Sequence, residues 1–319
     1  MQIYFETSAV NYLSDLIFRN PSFGSLATRK LQIEKGRKWR ISNVVLWEIF
    51  LTKDEQRRYD LFDLARCLFY DSLICSPEEI IINYIQNGCP VVEKQYKLDS
   101  QALFSREWTM ACKNQDYAFQ LNRDQLEDYT THLRFMGEYF VKTSKGYSLK
   151  TIDEFDEVSS KITGAFLQSM VDKLLEPDHR AISDESKNYV VYSLQVVMII
   201  LCYGIGFNQP IIEQFWNKHK KTEPLERLAI AVNNFPEIFF RGPLANITQM
   251  IILQSKNKSG RGLYFDSLHS IYMTYSDLFI TNDEHFFIYK NENNHDPNMT
   301  KVTSIKDLNF FIPSGGSLT

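Results

Sequence analysis

The sequence predicts an α/β protein built on a parallel sheet and split by a large all-helical insertion. Two observations carry this. Short β-rich runs alternate with helical patterns over residues 1–90 and again from about 240 to 312, as expected when parallel strands are joined by crossover helices. Between 91 and 239 the alternation gives way to long amphipathic patterns, among them ALFSREWTMACKNQDYAFQL, DQLEDYTTHLRFMGEYFV, FDEVSSKITGAFLQSMVDKLL and PLERLAIAVNNF. Residues 1–90 and 240–319 are therefore expected to form two halves of one domain, with 91–239 inserted between them.

The opening QIYFE reads as a strand, and TSAVNYLSDLIF as the helix after it, with Thr7 or Ser8 at the cap and apolar residues at helical spacing. WRISNVV reads as a second strand passing into a helix around Leu46 to Leu51. RRYDLFDLARCLFY is the next amphipathic helix and SLICS a third strand. Pro77, with Glu78 and Glu79 behind it, marks a helix start, because proline suits the first turn and acids complement its exposed N–H groups. Near the other end GLYFDSLHSIYMTY reads as a helix, DLFIT as a strand, and KVTSI as another after a polar loop.

Length and a hydrophobic content of 44% are enough for a sizeable core without covalent staples. The five cysteines, Cys67, Cys75, Cys89, Cys112 and Cys202, form no CxxC pair, which argues against a zinc site and suits reduced thiols. The chain opens directly on MQIYF with no secretory pattern, so a cytoplasmic protein is expected. Residues 188–207 (NYVVYSLQVVMIILCYGIGF) carry no charge over about the length of a membrane span. Ser193 and Gln195 interrupt the run, no second such run exists, and a single crossing would separate the acidic islands described next. A buried core helix is therefore expected, and no membrane.

Four short acidic islands stand beside these elements: Glu6 in YFETSAV, Glu48 in ISNVVLWEIF, Asp266 in LYFDSLH and Asp283 in LFITNDEHFF. Carboxylates at the ends of buried elements can be aimed at one spot, and hard divalent cations prefer oxygen ligands. Hydrolysis of a phosphodiester needs an activated water and neutralised phosphoryl and leaving oxygens, both of which Mg2+ or Mn2+ supplies. Without a cation the converging anions would repel one another and some would hold their protons. A net charge of −4 does not advertise nucleic-acid binding, but local clusters can. Residues 29–40 (RKLQIEKGRKWR) include Arg37, Lys38 and Arg40, and Lys256, Lys258 and Arg261 precede Asp266. Beside a carboxylate centre these would track phosphates.

Together the four islands resemble the PIN nuclease superfamily. YFETSAV is similar to that family's first strand and following helix, although Glu6 stands where Asp is usual. ISNVVLWEIF resembles its second motif, with Glu48 as the helical acid. FDSLH resembles the third, with Asp266, and LFITND the fourth, in which Thr281 partners Asp283. The resemblance covers roughly half of the chain. It implies a PIN-like three-layer α/β/α domain, metal ligation and catalysis by Glu6, Glu48, Asp266 and Asp283, and endoribonuclease activity of a toxin or defence type under a protein regulator or antitoxin.

Thr7 is a further candidate for meeting substrate, and His269, one turn beyond Asp266, reads as a substrate contact, a group that orients a carboxylate, or a histidine satisfied within the core. Asp277 opens the strand that leads to Asp283. A strand of that length separates its ends by well over 10 Å, so Asp277 reads as a cap. The 17 tyrosines and 23 phenylalanines include enough aromatics for some to stack on single-stranded RNA, although most are needed for the core. CYGIGF lacks the strand and helix setting of a dinucleotide fingerprint, and HExxH, GxSxG and GKT are missing. Two rival readings stand beside the ribonuclease: a DNA nuclease of the same fold, and a catalytically weakened PIN-like binding or regulatory protein. The helical insertion is the expected place for substrate selection, a regulator or homo-oligomer contacts.

Overall fold

The computed structural model describes residues 1–19, 37–69, 72–87, 242–256, 262–292 and 301–307, together with Lys113, Ser193, Val196 and Val197. These residues divide into two compact units. One holds residues 1–76, Lys113 and those from 272 onward, and the other holds residues 77–87 and those from 193 to 271.

The first unit is built on five parallel strands: β1 (Gln2–Phe5), β2 (Lys38–Ser42), β3 (Leu73–Ile74), β4 (Leu278–Thr281) and β5 (Val302–Ser304), in the order β3-β2-β1-β4-β5. Its helices are α1 (Thr7–Arg19), α2 (Asn43–Phe50), α3 (Glu55–Phe69) and, after β4, Glu284–Glu292, which becomes α7 once the second unit is counted. The register runs Ile3 to Trp39 and Tyr4 to Arg40 on one side of β1, and Tyr4 to Phe279 on the other. Ile3, Tyr4 and Phe5 are all fully buried. Successive strand residues point to opposite faces, so such a run means that both faces are covered.

The side chains show what covers them. Phe5 meets Trp39 at 5.0 Å and Phe69 of α3 at 5.4 Å between ring centroids. On the opposite face Tyr4 stacks on Tyr272 at 4.7 Å and on Phe279 at 5.2 Å, and Phe279 meets Phe286 of the helix after β4 at 4.9 Å. Burying each such ring contributes about 2–3 kcal/mol. Helices therefore lie on both faces of a parallel sheet, the layering expected of an α/β fold.

The chain moves outward from β1 through β2 to β3 on one side, and from β4 to β5 on the other. In an open parallel sheet, the carboxyl ends of the two strands at such a reversal border a crevice that suits a ligand. Here those strands are β1 and β4. At their opposite, amino ends Gln2 N donates to Asp277 Oδ2 at 2.7 Å and Asp277 N donates to the Gln2 carbonyl at 2.8 Å. Asp277 is thus a strand clasp far from the carboxyl edge.

The second unit's described helices are α4 (Pro77–Asn87), α5 (Pro243–Lys256) and α6 (Leu263–Ser270), leaving Glu284–Glu292 as α7. Helix α5 packs on both α4 and α6, which is why α4, α5 and α6 group with this unit rather than with the α/β domain anticipated over 1–90 and 240–319. Asn246 Nδ2 ties α5 to α6 through the Ser270 carbonyl at 3.2 Å. Ser193, Val196 and Val197 are helical and buried, and the Ser193 and Thr248 hydroxyls pair at 2.8 Å. The rest of the apolar run 188–207, and nearly all of the stretch read as a helical insertion, lie outside the described residues. Among the described residues no helix is long and apolar enough to cross a membrane.

The strands and helices near both ends follow the sequence reading closely. Helix α2 begins earlier than Leu46, directly after Ser42, and α5 and α7 were not anticipated. Glu284 lies in the first turn of α7, where an acid complements the exposed N–H groups, and Asp283 stands just before it.

Candidate metal centre

Three of the four expected carboxylates stand at the carboxyl edge of the first unit. Glu6 follows β1, Asp283 lies two residues beyond β4, and Glu48 projects from α2, which follows β2 without a loop. Glu6 and Asp283 are placed by the strand ends and helix starts beside them, and Glu48 by the second turn of the helix that β2 leads into.

Glu6 caps α1. Its two carboxylate oxygens accept from Ser8 N at 3.0 Å each, and Oε2 also accepts from the Ser8 hydroxyl and from Thr281 Oγ1 at 2.8 Å. Thr281 Oγ1 in turn accepts from Asp283 N at 2.9 Å, and Ser8 Oγ accepts from Asn282 N at 2.7 Å. The ends of β1 and β4 are therefore joined through one carboxylate. The extra methylene of Glu6, compared with Asp, gives it the reach to cap its own helix and cross to Thr281 together. Ser8 was not anticipated as a site residue, although a hydroxyl two positions after an acid at a helix start is its sequence signal.

Asp283 caps α7, accepting from His285 N at 2.8 Å on Oδ1. The same oxygen lies 3.3 Å from His285 Nδ1, and both side chains are about 30% exposed (29% and 31%). Glu48 accepts a short hydrogen bond from the Thr7 hydroxyl. Thr7 is buried and its hydroxyl donates to Glu48, an arrangement that orients that carboxyl. Ser42 Oγ pairs with Tyr4 Oη at 2.7 Å instead of capping α2.

Burial pushes the Glu48 carboxyl up to about 8, against the lowering effect of the Thr7 hydrogen bond, and the negative charge of Asp283 raises it further. Burial also raises the Tyr4 hydroxyl well above its ordinary value, partly opposed by Ser42 and reinforced by the charges of Glu6 and Glu48. Asp283 thus acts directly on Glu48, and Glu6 and Glu48 both act on Tyr4. Oxygen donors of this kind, one of them holding its proton near neutral pH, fit a hard divalent cation.

The sign for stability follows. In metal-free protein the folded state holds the Glu48 proton up to about 8, whereas the unfolded chain releases it near 4.5. The contribution of the neutral carboxyl is intact below about 4.5 and is lost as pH rises toward about 8. In EDTA, raising the pH from 5 to 8 is expected to lower Tm by several degrees more in the wild type than in Glu48→Gln. Equal slopes in thermal melts of the two proteins would contradict this.

No family model matches the chain, and no curated protein or solved structure matches it. The PIN-like assignment therefore rests on the sequence motifs.

Arg37, Lys38 and Arg40, expected to track phosphates, stand away from the carboxyl edge or are buried. Arg37 and Lys38 stand at the amino end of β2, about 13 Å along the strand from its carboxyl edge at 3.3 Å per residue. Arg40 is buried, within β2 and in register with Tyr4. A cation that does reach the carboxyl edge is the exposed Lys306, two residues beyond β5, whose ammonium lies 5.8 Å from the centre of the Tyr12 ring on α1. Ser304, at the end of β5, donates to Asn282 Oδ1 at 2.9 Å, linking that strand end to the segment before Asp283. Lys258 and Arg261 lie outside the described residues.

Asp266 and His269 belong to the second unit. Both are buried on α6, and Asp266 Oδ2 accepts from Gln254 Nε2 of α5 at 2.7 Å. A Cβ at Gly262 would come within 3.0 Å of Asp266 Oδ2, although the φ of −89° at Gly262 suits any residue. A side chain here is opposed by close approach, not by backbone conformation, and would need the Asp266 carboxylate to shift by a few tenths of an ångström. Gly262→Ala is expected to push the Asp266 carboxylate off Gln254 and cost about 1 kcal/mol, read by urea denaturation. An unchanged midpoint would show that the carboxylate yields freely.

Proposed function

We propose that this chain is a PIN-like, divalent-metal-dependent endoribonuclease whose centre includes Glu6, Glu48 and Asp283. What supports the reading is one observation: Glu6 and Glu48 lie together at the switch point of a parallel sheet and within the field of Asp283, whose charge adds to burial in raising the Glu48 carboxyl to about 8. The chemistry supplied at such a centre by Mg2+ or Mn2+ is activation of water and neutralisation of the phosphoryl and leaving oxygens.

The chain's own residues divide the remaining work. Glu48 and Asp283 would hold the cation through carboxylate oxygens, Glu48 as its anion with the proton released to solvent. Thr7 fixes the orientation of Glu48. Glu6, through Ser8 and Thr281, sets the spacing between the ends of β1 and β4 and so the position of Asp283. Lys306 and Tyr12 offer an ammonium and an aromatic face to a single strand at this edge. RNA is the substrate favoured by the sequence resemblance.

A second reading, an altered PIN-like binding protein, draws on Glu6, whose Oε2 already receives two hydroxyl donors. Calorimetric titration with Mn2+ and cleavage assays on matched RNA and DNA oligonucleotides, with and without EDTA, separate the readings. Metal binding with proton release and EDTA-sensitive RNA cleavage are expected. Preferential DNA cleavage would move the assignment to the DNA nuclease, and metal binding with no cleavage of either would favour the binding protein.

A further inference from the structure

We infer that His285 is a nitrogen ligand at the Asp283 end of this centre, so that the site prefers a first-row transition ion, represented by Mn2+, to Mg2+. The inference rests on the proposed metal centre and specifies its cation. His285 Nδ1 lies 3.3 Å from Asp283 Oδ1, while His285 N donates to that same oxygen at 2.8 Å. A charge-assisted N–H···O bond is usually about 2.7–2.9 Å long, so 3.3 Å is long for a dedicated hydrogen bond. Adjacent ligands of an octahedral ion with bonds of about 2.1 Å stand about 3 Å apart, so the two atoms are close to the spacing at which both could bind one cation.

The local structure explains how the pair is held. Asp283 caps α7 and His285 occupies its first turn, so the short cap fixes one side chain relative to the other without help from a long loop. Both side chains are about 30% exposed (29% and 31%), leaving a solvent route to them. Mg2+ takes oxygen almost exclusively and keeps its waters, whereas first-row transition ions accept imidazole, the later ones most strongly and Mn2+ most weakly among them. A carboxylate pair alone would not separate Mn2+ from Mg2+ strongly; a carboxylate next to an imidazole would.

The test measures binding, not turnover. Mn2+ affinity is read from the electron paramagnetic resonance of free Mn2+, and Mg2+ affinity by competition, in wild type, His285→Gln and Asp283→Asn, with folding of each checked by circular dichroism. Wild type is expected to prefer Mn2+ clearly, and His285→Gln to lower the Mn2+/Mg2+ affinity ratio by about tenfold. In bound wild type, electron spin echo modulation from a coordinated nitrogen is expected, and it should vanish in His285→Gln. An unchanged ratio or no nitrogen modulation in the wild type overturns the inference. If Asp283→Asn still weakens both ions, the metal centre survives that failure. If the wild type binds neither ion at millimolar concentration, the centre and the inference fall together.

Discussion

Asp283→Asn is expected to reduce metal-dependent RNA cleavage by more than about 100-fold while leaving the fold in place. Asparagine caps helices as well as aspartate does, so α7 keeps its start and the loss falls on charge. Removing a carboxylate that holds a cation should cost at least as much as removing a group that only supports one, for which about 10–100-fold is usual. The substitution also removes the Asp283 charge that raises Glu48. Because burial is the larger cause, Glu48 should move down only part of the way toward its ordinary value. The measurements are single-turnover cleavage in Mn2+ and carboxyl titration by NMR. Full cleavage activity in the variant would remove Asp283 from the centre.

Glu6→Ala is expected to give the largest loss of stability among the site substitutions, about 2–4 kcal/mol. It takes the Glu6 acceptor from the half-buried Ser8 N–H and hydroxyl and from the buried Thr281 hydroxyl, and although the two hydroxyls still face each other at 3.2 Å, a buried donor left without its acceptor costs about 1–3 kcal/mol. Glu6→Asp separates the two tasks of this residue. The shorter side chain keeps an oxygen near the head of α1 but withdraws it from Thr281, so cap stability should largely return while the Asp283 segment stays loosened. Urea denaturation reads the first effect and Mn2+ affinity the second. A Glu6→Asp protein equal to wild type in both would show that the bridge to Thr281 holds nothing in place.

Much of the first unit was legible because its signals are local. QIYF and LFIT are apolar runs of strand length, the hydroxyls after Glu6 are helix-start chemistry, and Thr281 followed by Asp283 pairs a hydroxyl with the backbone N–H two residues on. The basic residues show the limit of such reading. Arg37, Lys38 and Arg40 are near Glu48 in sequence, yet a strand carries its two ends apart, and only strand direction says which end meets the acids. Lys306 and Tyr12 are nearly 300 positions apart, and no spacing rule pairs them.

The sequence by itself determined that parallel strands and helices alternate, that acids stand at element ends, and that hydroxyl residues follow them. These are properties of short segments, settled by side-chain periodicity and capping. Only the tertiary structure decided that β1 and β4 are neighbours, that Glu6 spans their ends, and that Glu48 keeps its proton beside Asp283. Strand order, burial and the field of one carboxylate on another come from residues far apart in the chain. They exist only once the sheet has brought those residues together.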